Sequence, residues 1–403
     1  MAFFNPGRPS YIQDPYPALH RLREEAPVYR SRDLDAWVVT SYAECLAVLQ
    51  DHQRYSSDVG SAAGRLGERV RKVKRASVLG AAPRIAQVDP PQHTRLREVV
   101  ARAFAPRQVE AVRPQIEAHV SALLADVEAG QPFDLVRQFC DALPAAMVSA
   151  QMGAPPEDRA QVLAWARALM QTEGADLTRE RRRDAEAARE GLRGYLGRVA
   201  AGETGDPESL IAVMARAGTA EERLGLDELL ALVIDLSLAG NDNTANLVGN
   251  AVLALAEHPE QQALLRGRPE LLGSAVEEVM RYDAPQQAVV RVVTSDGVLG
   301  RERLRAGEVV VLMLGAANRD PAVFDDPDRF DVTRAGPRHL TFAMGIHFCI
   351  GAPLARMVGE AALRGLLDRF EPLRLVEGAP LPRSADWMTR SARRILVDTS
   401  TLR

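Results

Sequence analysis

Cysteine is scarce in this chain, which has only Cys45, Cys140 and Cys349 among its 403 residues. Three cysteines so far apart exclude a dense disulfide framework and are typical of a reducing compartment. An excess of charge of one sign is lacking as well, because 50 Lys and Arg face 54 Asp and Glu, for a net charge of −4. This balance gives no global signal for nucleic acid or for an anionic membrane. We therefore expect a cytoplasmic protein with neither of these partners.

A long apolar run is missing from the first residues, M-A-F-F-N-P-G-R-P-S. We expect neither a signal peptide nor a membrane anchor there. Aromatic residues make up only 5%, but hydrophobic residues reach 46% and charged residues 26%, an ordinary composition for a globular protein. Helical spacing dominates the apolar pattern. We predict a mainly α chain with β-rich parts near residues 28–40, 288–312 and 371–400.

The most informative stretch is Phe342–Gly351, which reads F-A-M-G-I-H-F-C-I-G. Two glycines flank Cys349, and Pro353 suits the first turn of a helix that starts just after it. The free N–H groups of such a turn stabilise a thiolate over a thiol. A single cysteine without a second Cys or His at zinc spacing argues against zinc. It fits a thiolate as the lone protein ligand of a haem iron.

This stretch resembles the haem-binding loop of the cytochrome P450 family, F-x-x-G-x-H-x-C-x-G, at every fixed position. The resemblance implies one domain over residues 1–403 with the cytochrome P450 fold, and haem b (iron protoporphyrin IX) held through iron by Cys349. Phe342 would lie against the proximal haem face, and Gly345 and Gly351 would shape the loop. The alternative, a buried cysteine in a glycine-rich turn, leaves Phe342 and His347 unexplained.

The resemblance also implies cationic partners for the two haem propionates. His93 and Arg97 stand i, i+4 in D-P-P-Q-H-T-R-L-R, on one face of a predicted helix. Arg291 falls inside the β-branched run that we predict as a strand after Pro285. His347 completes the set, two residues before the cysteine.

The run L-L-A-L-V-I-D-L-S-L-A-G-N-D-N-T resembles the central helix of the family, where A-G-x-acid-T crosses the oxygen-binding face of the haem. Ala239 and Gly240 would leave room for dioxygen, and Asp242 would feed protons. The alcohol expected after the acid is replaced by Asn243, and Thr244 comes one place later, turned by about 100° on a regular helix. Thr244 could serve only if a π-bulge shifted the register. An amide orients water but does not relay protons as a hydroxyl does.

Asp235 stands four residues before Ala239 and eight before Asn243, on the same helical face. Burying its carboxylate costs several kcal/mol unless it is paired. Two interpretations remain open: a salt bridge with a neighbouring helix, or recognition of an N–H or cationic group on the substrate. The other predicted members of the substrate pocket are Ala239, Asn243, Ala288, Val289, Val290 and a closing hairpin tip at Trp387 and Met388.

Two further features concern structure more than chemistry. Glu278 and Arg281 form an i, i+3 pair that the resemblance makes a buried lock near the proximal face, with Arg319 or Arg334 as third member. Residues 51–90 lack a clean period and carry a basic cluster, so we predict a long loop. That cluster is either a solvated face or part of a lid over the substrate pocket.

The resemblance implies a haem-thiolate monooxygenase that activates O2 to oxidise a small organic substrate, of secondary-metabolite type. Electrons would come from a ferredoxin or flavodoxin with an NAD(P)H-dependent reductase, and the protein would be a monomer. Three alternatives stay open: oxidative C–C coupling, desaturation or nitration without net hydroxylation; a haem-thiolate sensor without turnover; and a peroxide-driven enzyme.

Overall fold

A computed structural model describes residues 4–79, 82–143, 153–170, 172, 178–217 and 223–403. Its α-helices are α1 Pro9–Gln13, α2 Tyr16–Glu25, α3 Tyr42–Gln50, α4 Gly64–Ala76, α5 Gln92–Ala103, α6 Pro106–Ala111, α7 Arg113–Ala125, α8 Pro156–Met170, α9 Arg179–Ala201, α10 Leu210–Arg216, α11 Leu226–Glu257, α12 Pro259–Gly267, α13 Leu272–Tyr282, α14 Leu314–Ala317 and α15 Ala352–Arg369. Its strands are β1 Val28–Ser31, β2 Ala36–Val39, β3 Tyr55–Ser56, β4 Phe133–Asp134, β5 Ala288–Val293, β6 Gly297–Leu299, β7 Glu302–Leu304, β8 Val309–Met313 and β9 Leu396–Val397. The predicted class, mainly α with a smaller β part, is confirmed.

The chain forms two compact units, each built from separate stretches of sequence. The first contains Met1–Ser56, Ile116–Leu143 and Asp242–Arg403, and the second contains Ser57–Gln115 and Pro144–Asn241. Among the described residues, none of the helices has the length and apolar character needed to cross a bilayer.

The first unit contains a five-stranded sheet in the order β1-β2-β8-β5-β3. The predicted hairpin at residues 28–40 is confirmed, with Val28 opposite Val39 in antiparallel register. Strand β8 pairs parallel to β2 and antiparallel to β5. All five residues of β8 are buried, as expected for a central strand of β-branched and apolar residues. This sheet fixes the path of β5, which carries Arg291.

The prediction of a β-rich part at residues 371–400 is wrong in extent. Within that stretch the structure has only strand β9, which pairs with β4, and isolated bridges such as Arg383 with Ala392. The residues between the members of that bridge still turn back on themselves, because the Ser384 amide donates to the Ser391 carbonyl at 3.0 Å. A hairpin-like turn at Trp387 and Met388 is therefore present without a regular ladder.

Two hydrophobic clusters of the first unit enclose the stretch around Cys349. One lies between α13 and α15 and contains Val276, Leu363 and Phe342, with Cys349 packed against it. The other covers one face of the sheet and contains Leu49 and Leu340, with Met344 packed against it. The glycine-rich loop is thus held by apolar burial from both sides.

A buried polar cluster joins the beginning of the first unit to its last residues. Asp283 accepts a hydrogen bond from the Tyr16 hydroxyl at 2.9 Å and one from Arg390 Nε at 3.0 Å. Arg390 also donates to the carbonyls of Ile12 and Gln13, both at 2.9 Å. Because a buried guanidinium requires several acceptors, these two carbonyls are part of what stabilises it.

The second unit is helical. Helix α9 packs along α8, and the Trp165 ring lies so close to Gly191 that a Cβ there would stand 2.4 Å from it. The long loop predicted for residues 51–90 is wrong in part, because α4 fills Gly64–Ala76. Helix α4 is tied to the preceding residues by Lys74 Nζ, which lies 2.6 Å from the Asp58 carboxylate.

Candidate functional site

The loop of Cys349 has the shape that its glycines permit. Gly345 has φ +71°, and a Cβ at this position would lie 2.4 Å from the Leu49 carbonyl oxygen, so a side chain would clash. The Cys349 amide donates to the Phe342 carbonyl at 2.8 Å. Helix α15 then begins at Ala352, with Gly351 as its N-cap residue and Pro353 in its first turn. The predicted helix start directly after the cysteine is confirmed.

The donor set around Cys349 fits a haem iron held by one thiolate. Cys349 is half-buried, whereas Cys45 and Cys140 are buried, and burial raises the pKa of both of those thiols. A neutral buried thiol is a poor metal ligand. Within the ranges that the structure describes, no three His, Cys, Asp or Glu side chains come together as a metal-binding group. Cys349 is therefore the cysteine best suited to bind a metal.

The four predicted propionate partners divide between the two units. Arg291 and His347 belong to the first unit, and His93 and Arg97 belong to the second. Arg291 is 8% exposed within strand β5, and its Nη1 donates to the Val290 carbonyl at 2.8 Å. His93 and Arg97 lie on α5, as the sequence predicts, with His93 buried and Arg97 half-buried. Their binding of propionates stays a prediction.

The central helix is regular where the sequence departs from the family pattern. Helix α11 is α-helical from Leu226 to Glu257, so the π-bulge that would bring Thr244 into the place of the expected alcohol is not formed. Thr244 is buried at 5% exposure, Asn243 is half-buried, and Asp242 is exposed. Because the helix is regular, Asn243 and not Thr244 occupies the place where the family pattern has its alcohol.

Two small residues precede Asp242 on α11, and the charge of Asp242 acts on a neighbouring carboxyl group. Ala239 and Gly240 are both exposed on α11, with no side chain beyond a methyl group. Burial raises the pKa of Asp141, and the negative charge of Asp242 raises it further. The charge of Asp242 thus acts on a second carboxyl group of the first unit, which favours the protonated form of Asp141.

Asp235 is paired within the second unit. Its carboxylate accepts a hydrogen bond from Arg84 Nε at 2.5 Å, and its side chain is 9% exposed. Arg84 precedes the short 3₁₀ turn Ile85–Gln87, so the partner comes from a connecting segment and not from a neighbouring helix. The prediction that Asp235 forms a salt bridge is confirmed, but the prediction that its partner lies on a neighbouring helix is wrong. The sequence could not indicate Arg84, because that arginine is one of many cations in residues 51–90 and no local pattern distinguishes it from the others.

Glu278 and Arg281 form the predicted buried lock. Arg281 Nε lies 2.7 Å from the Glu278 carboxylate, and both side chains are at most 3% exposed. The third member is Arg334, whose Nε donates to Glu278 at 3.2 Å. Arg319 serves elsewhere, because its guanidinium carbon lies 3.5 Å from the ring centroid of Tyr16 and 3.9 Å from that of Tyr282.

The predicted pocket wall and the predicted hairpin tip come together in the first unit. Ala288 is fully buried at the start of β5, and its amide donates to the Met388 carbonyl at 3.3 Å. The Gln287 amide donates to the same carbonyl at 2.8 Å, and the Gln286 side chain donates to it at 3.2 Å. Val289, Val290, Trp387 and Met388 are half-buried. The turn is therefore fixed to the strand that carries Arg291.

Comparisons with known proteins point to one protein family. The family model described as "Cytochrome P450" matches residues 178–394. "Cytochrome P450 107B1" of Saccharopolyspora erythraea is 37% identical over 375 residues, which cover 91% of this chain and 90% of the relative. "Nocardicin C N-oxygenase" of Nocardia uniformis is 38% identical over 392 residues, covering 96% and 94%. The solved structure of the bacillaene polyketide synthase cytochrome P450 PksS from Bacillus subtilis superimposes with a TM-score of 0.85 at 30% identity, covering 99% of this chain and 100% of that one.

Proposed function

The chain belongs to the cytochrome P450 family, and from that premise we propose how its own residues divide the work of an oxidation. It is a haem-thiolate monooxygenase that oxidises small organic molecules with O2 and a redox partner. The observation that carries this function is the half-buried thiol of Cys349, in a loop whose path requires glycine at position 345.

When bound, the haem supplies the iron at which dioxygen is activated. Cys349 would bind that iron as a thiolate, in the field of the first turn of α15. Phe342, which is 7% exposed, would pack against the proximal side of the ring. The propionates would be bound by His93, Arg97, Arg291 and His347, since cationic and N–H donors offset carboxylate charge.

Proton supply rests on Asp242 and Asn243. Asp242 is exposed and can exchange protons with water, while the half-buried Asn243 can orient a water molecule through its amide. Ala239 and Gly240 leave space beside them for a small molecule. Thr244 is buried and stays outside this path.

The substrate pocket includes the wall Ala288, Val289 and Val290 with the tip Trp387 and Met388, which favours a largely apolar substrate. Asp235, already paired with Arg84, would recognise an N–H or cationic group only by exchanging that partner. A library of ligands with and without an amine, screened by the change of iron spin state, tests this point. If Asp235→Asn and Asp235→Ala bind amines as the parent does, Asp235 has no part in recognition.

The redox partner would be a separate ferredoxin or flavodoxin with an NAD(P)H-dependent reductase. The near balance of charges and the three cysteines far apart in sequence support a cytoplasmic protein that binds neither nucleic acid nor membrane, and the family resemblance favours a monomer. Reconstitution with each carrier in turn, followed by consumption of NADPH, identifies the class of partner. Sedimentation at several concentrations measures the oligomeric state.

The carbon monoxide difference spectrum of the reduced protein tests the central assignment. We expect the long-wavelength band of thiolate ligation in the parent and in Cys140→Ala, and its loss in Cys349→Ala. A spectrum typical of histidine-bound iron in the parent would contradict the function, as would an unchanged band after Cys349→Ala.

A second candidate reaction is favoured by Asn243. The family pattern places a hydroxyl directly after the acid, but this chain has an amide there, so outcomes that remove hydrogen from the substrate without inserting oxygen, such as coupling or desaturation, form the second candidate. Product mass after turnover in ¹⁸O-labelled dioxygen separates the two, because only hydroxylation adds a labelled oxygen atom.

A further inference from the structure

Glu277 lies next to the lock residue Glu278 on α13 but serves a different cluster. Its two carboxylate oxygens accept hydrogen bonds from Arg356 Nε at 2.6 Å and from Arg356 Nη2 at 3.0 Å. The Nε2 atom of His339 lies 3.4 Å from the same carboxylate. His339 Nδ1 accepts a hydrogen bond from the Thr341 amide at 3.2 Å, so in the neutral ring the proton is on Nε2, facing Glu277.

Both partners of Glu277 pack on the ring of Phe342. The Arg356 guanidinium carbon lies 4.7 Å from the Phe342 ring centroid, and the His339 ring lies 5.4 Å from it at an angle of 45°. The Phe342 carbonyl accepts the hydrogen bond from the Cys349 amide. Three successive contacts therefore link Glu277 to the residue that would bind iron: Glu277 to Arg356, Arg356 to Phe342, and Phe342 to Cys349.

The charges of this cluster are opposed in sign. Partial burial acts to raise the pKa of Glu277, but hydrogen bonds and charge from His339 and Arg356 lower it to about 2. Glu277 is thus an anion at neutral pH. The hydrogen bonds to Glu277 raise the pKa of Arg356, and the charge of Cys349 raises it as well. Arg356 is a permanent cation close enough to interact with the cysteine.

We propose that Glu277 and Arg356 are positioning residues that set the reduction potential of a haem bound by Cys349. The inference rests on the proposed function, because it needs iron on that thiolate. Reduction adds an electron to the site, and a nearby cation stabilises the reduced form. Glu277 offsets most of the Arg356 charge, so the pair holds the potential below the value that Arg356 alone would give.

Opposite shifts in the two single variants test this assignment. In a spectroelectrochemical titration of the holoprotein, Glu277→Gln leaves Arg356 uncompensated and raises the potential. Arg356→Gln leaves Glu277 uncompensated and lowers it. The double variant removes both charges and returns the potential close to that of the parent, and Arg356→Lys, which keeps the charge, stays close to it too.

A purely structural role predicts another pattern. Loss of packing on Phe342 would move both single variants in the same direction and would leave the double variant furthest from the parent, which would overturn the proposal. The control pair is Arg268 and Glu270, 3.0 Å apart and mostly exposed in the same unit. Glu270→Gln makes the same charge change and should leave the potential unchanged.

Two further outcomes are decisive. If Arg356→Gln does not retain haem, Glu277→Gln and Arg356→Lys carry the test, and a potential in Glu277→Gln at or below that of the parent overturns the proposal. The carbon monoxide spectrum of the parent distinguishes failure of the proposed function from failure of the Glu277–Arg356 inference alone. Without the thiolate band the proposed function fails and this inference with it, whereas the band together with unshifted potentials refutes the charge pair alone.

Discussion

Arg84 donates from Nε to the Asp235 carboxylate across 2.5 Å, with 21% of the arginine side chain and 9% of the aspartate side chain exposed. The pair joins the segment before α5 to the central helix α11 within the second unit. A carboxylate so far buried depends on its cation, because desolvation makes an unpaired charge costly.

Removing the cation should destabilise the protein more than removing the anion. We expect Arg84→Met to lower the free energy of unfolding by about 2–3 kcal/mol, because Asp235 stays buried and charged. Asp235→Asn should cost less, since the freed arginine is nearer to solvent. Urea unfolding measures both. The control is Arg183→Met, whose side chain is 81% exposed, and equal stability of Arg84→Met and this control would refute the prediction.

A hydroxyl at position 243 should improve the use of electrons. We expect Asn243→Thr to raise the fraction of consumed NADPH that appears as product, because a hydroxyl can relay a proton and an amide cannot. Thr244→Val should change this fraction little, since Thr244 is buried on a regular helix. Product and hydrogen peroxide are measured against NADPH. A loss of coupling in Thr244→Val alone would show that Thr244 takes part after all.

Alanine at position 345 should disturb the cysteine loop. Gly345→Ala places a Cβ at φ +71° and 2.4 Å from the Leu49 carbonyl, so we expect a loss of more than about 1 kcal/mol of stability together with weaker haem retention. Gly336→Ala is the matched control in the same unit, because nothing lies within 4 Å of its added Cβ. Thermal unfolding and the ratio of haem to protein absorbance report the two effects. Equal melting temperatures of the two variants would contradict the clash.

The ionised Glu277 carboxylate should make the free energy of unfolding depend on pH in the acidic range. The pKa of Glu277 is lowered from 4.5 in the unfolded chain to about 2. A carboxylate with a depressed pKa contributes stability that is fully present above the unfolded pKa and is lost as pH falls through the folded one. The stability difference between the parent and Glu277→Gln should therefore be constant near pH 6 and shrink between about pH 4.5 and 2. Urea unfolding across this pH range measures the difference. A difference that grows as the pH falls would contradict the prediction.

Residues that act through local sequence were predicted well. The path of Phe342–Gly351 depends on glycines, a proline and the start of a helix, all of which are visible in one short stretch. The same holds for the i, i+3 pair Glu278 and Arg281. Local backbone geometry determines these features, so they could be predicted without knowledge of the tertiary structure.

Partners that are distant in sequence could not be predicted. Arg84 and Asp235 are separated by 151 positions, and nothing in the local pattern distinguishes Arg84 from the other cations of its segment. The choice of Arg334 over Arg319 depends on which arginine meets Glu278 and which enters the space between two tyrosines. Tertiary packing determines both pairings, and the spacing of residues in the sequence does not indicate them.

Helix α4 shows a different limit. Its sequence, G-R-L-G-E-R-V-R-K-V-K-R-A, is dominated by cations, and its two glycines weaken the helical signal. Yet Leu66, Val70 and Val73 recur at helical spacing, and Gly67 permits the close approach of the Ala62 carbonyl, which would stand 1.9 Å from an added Cβ. Charge and glycine content concealed this spacing, and the structure leaves Leu66 and Val73 exposed at 39% and 49%.

The carbonyls of Ile12 and Gln13 give Arg390 two of its acceptors, so the first turns of the chain are bonded to its last segment. A shortened chain that starts beyond residue 13 would strand this guanidinium next to Asp283 and loosen the turn at Trp387 and Met388. Trimming the start to aid crystallisation would therefore disturb a turn near the opposite end of the sequence.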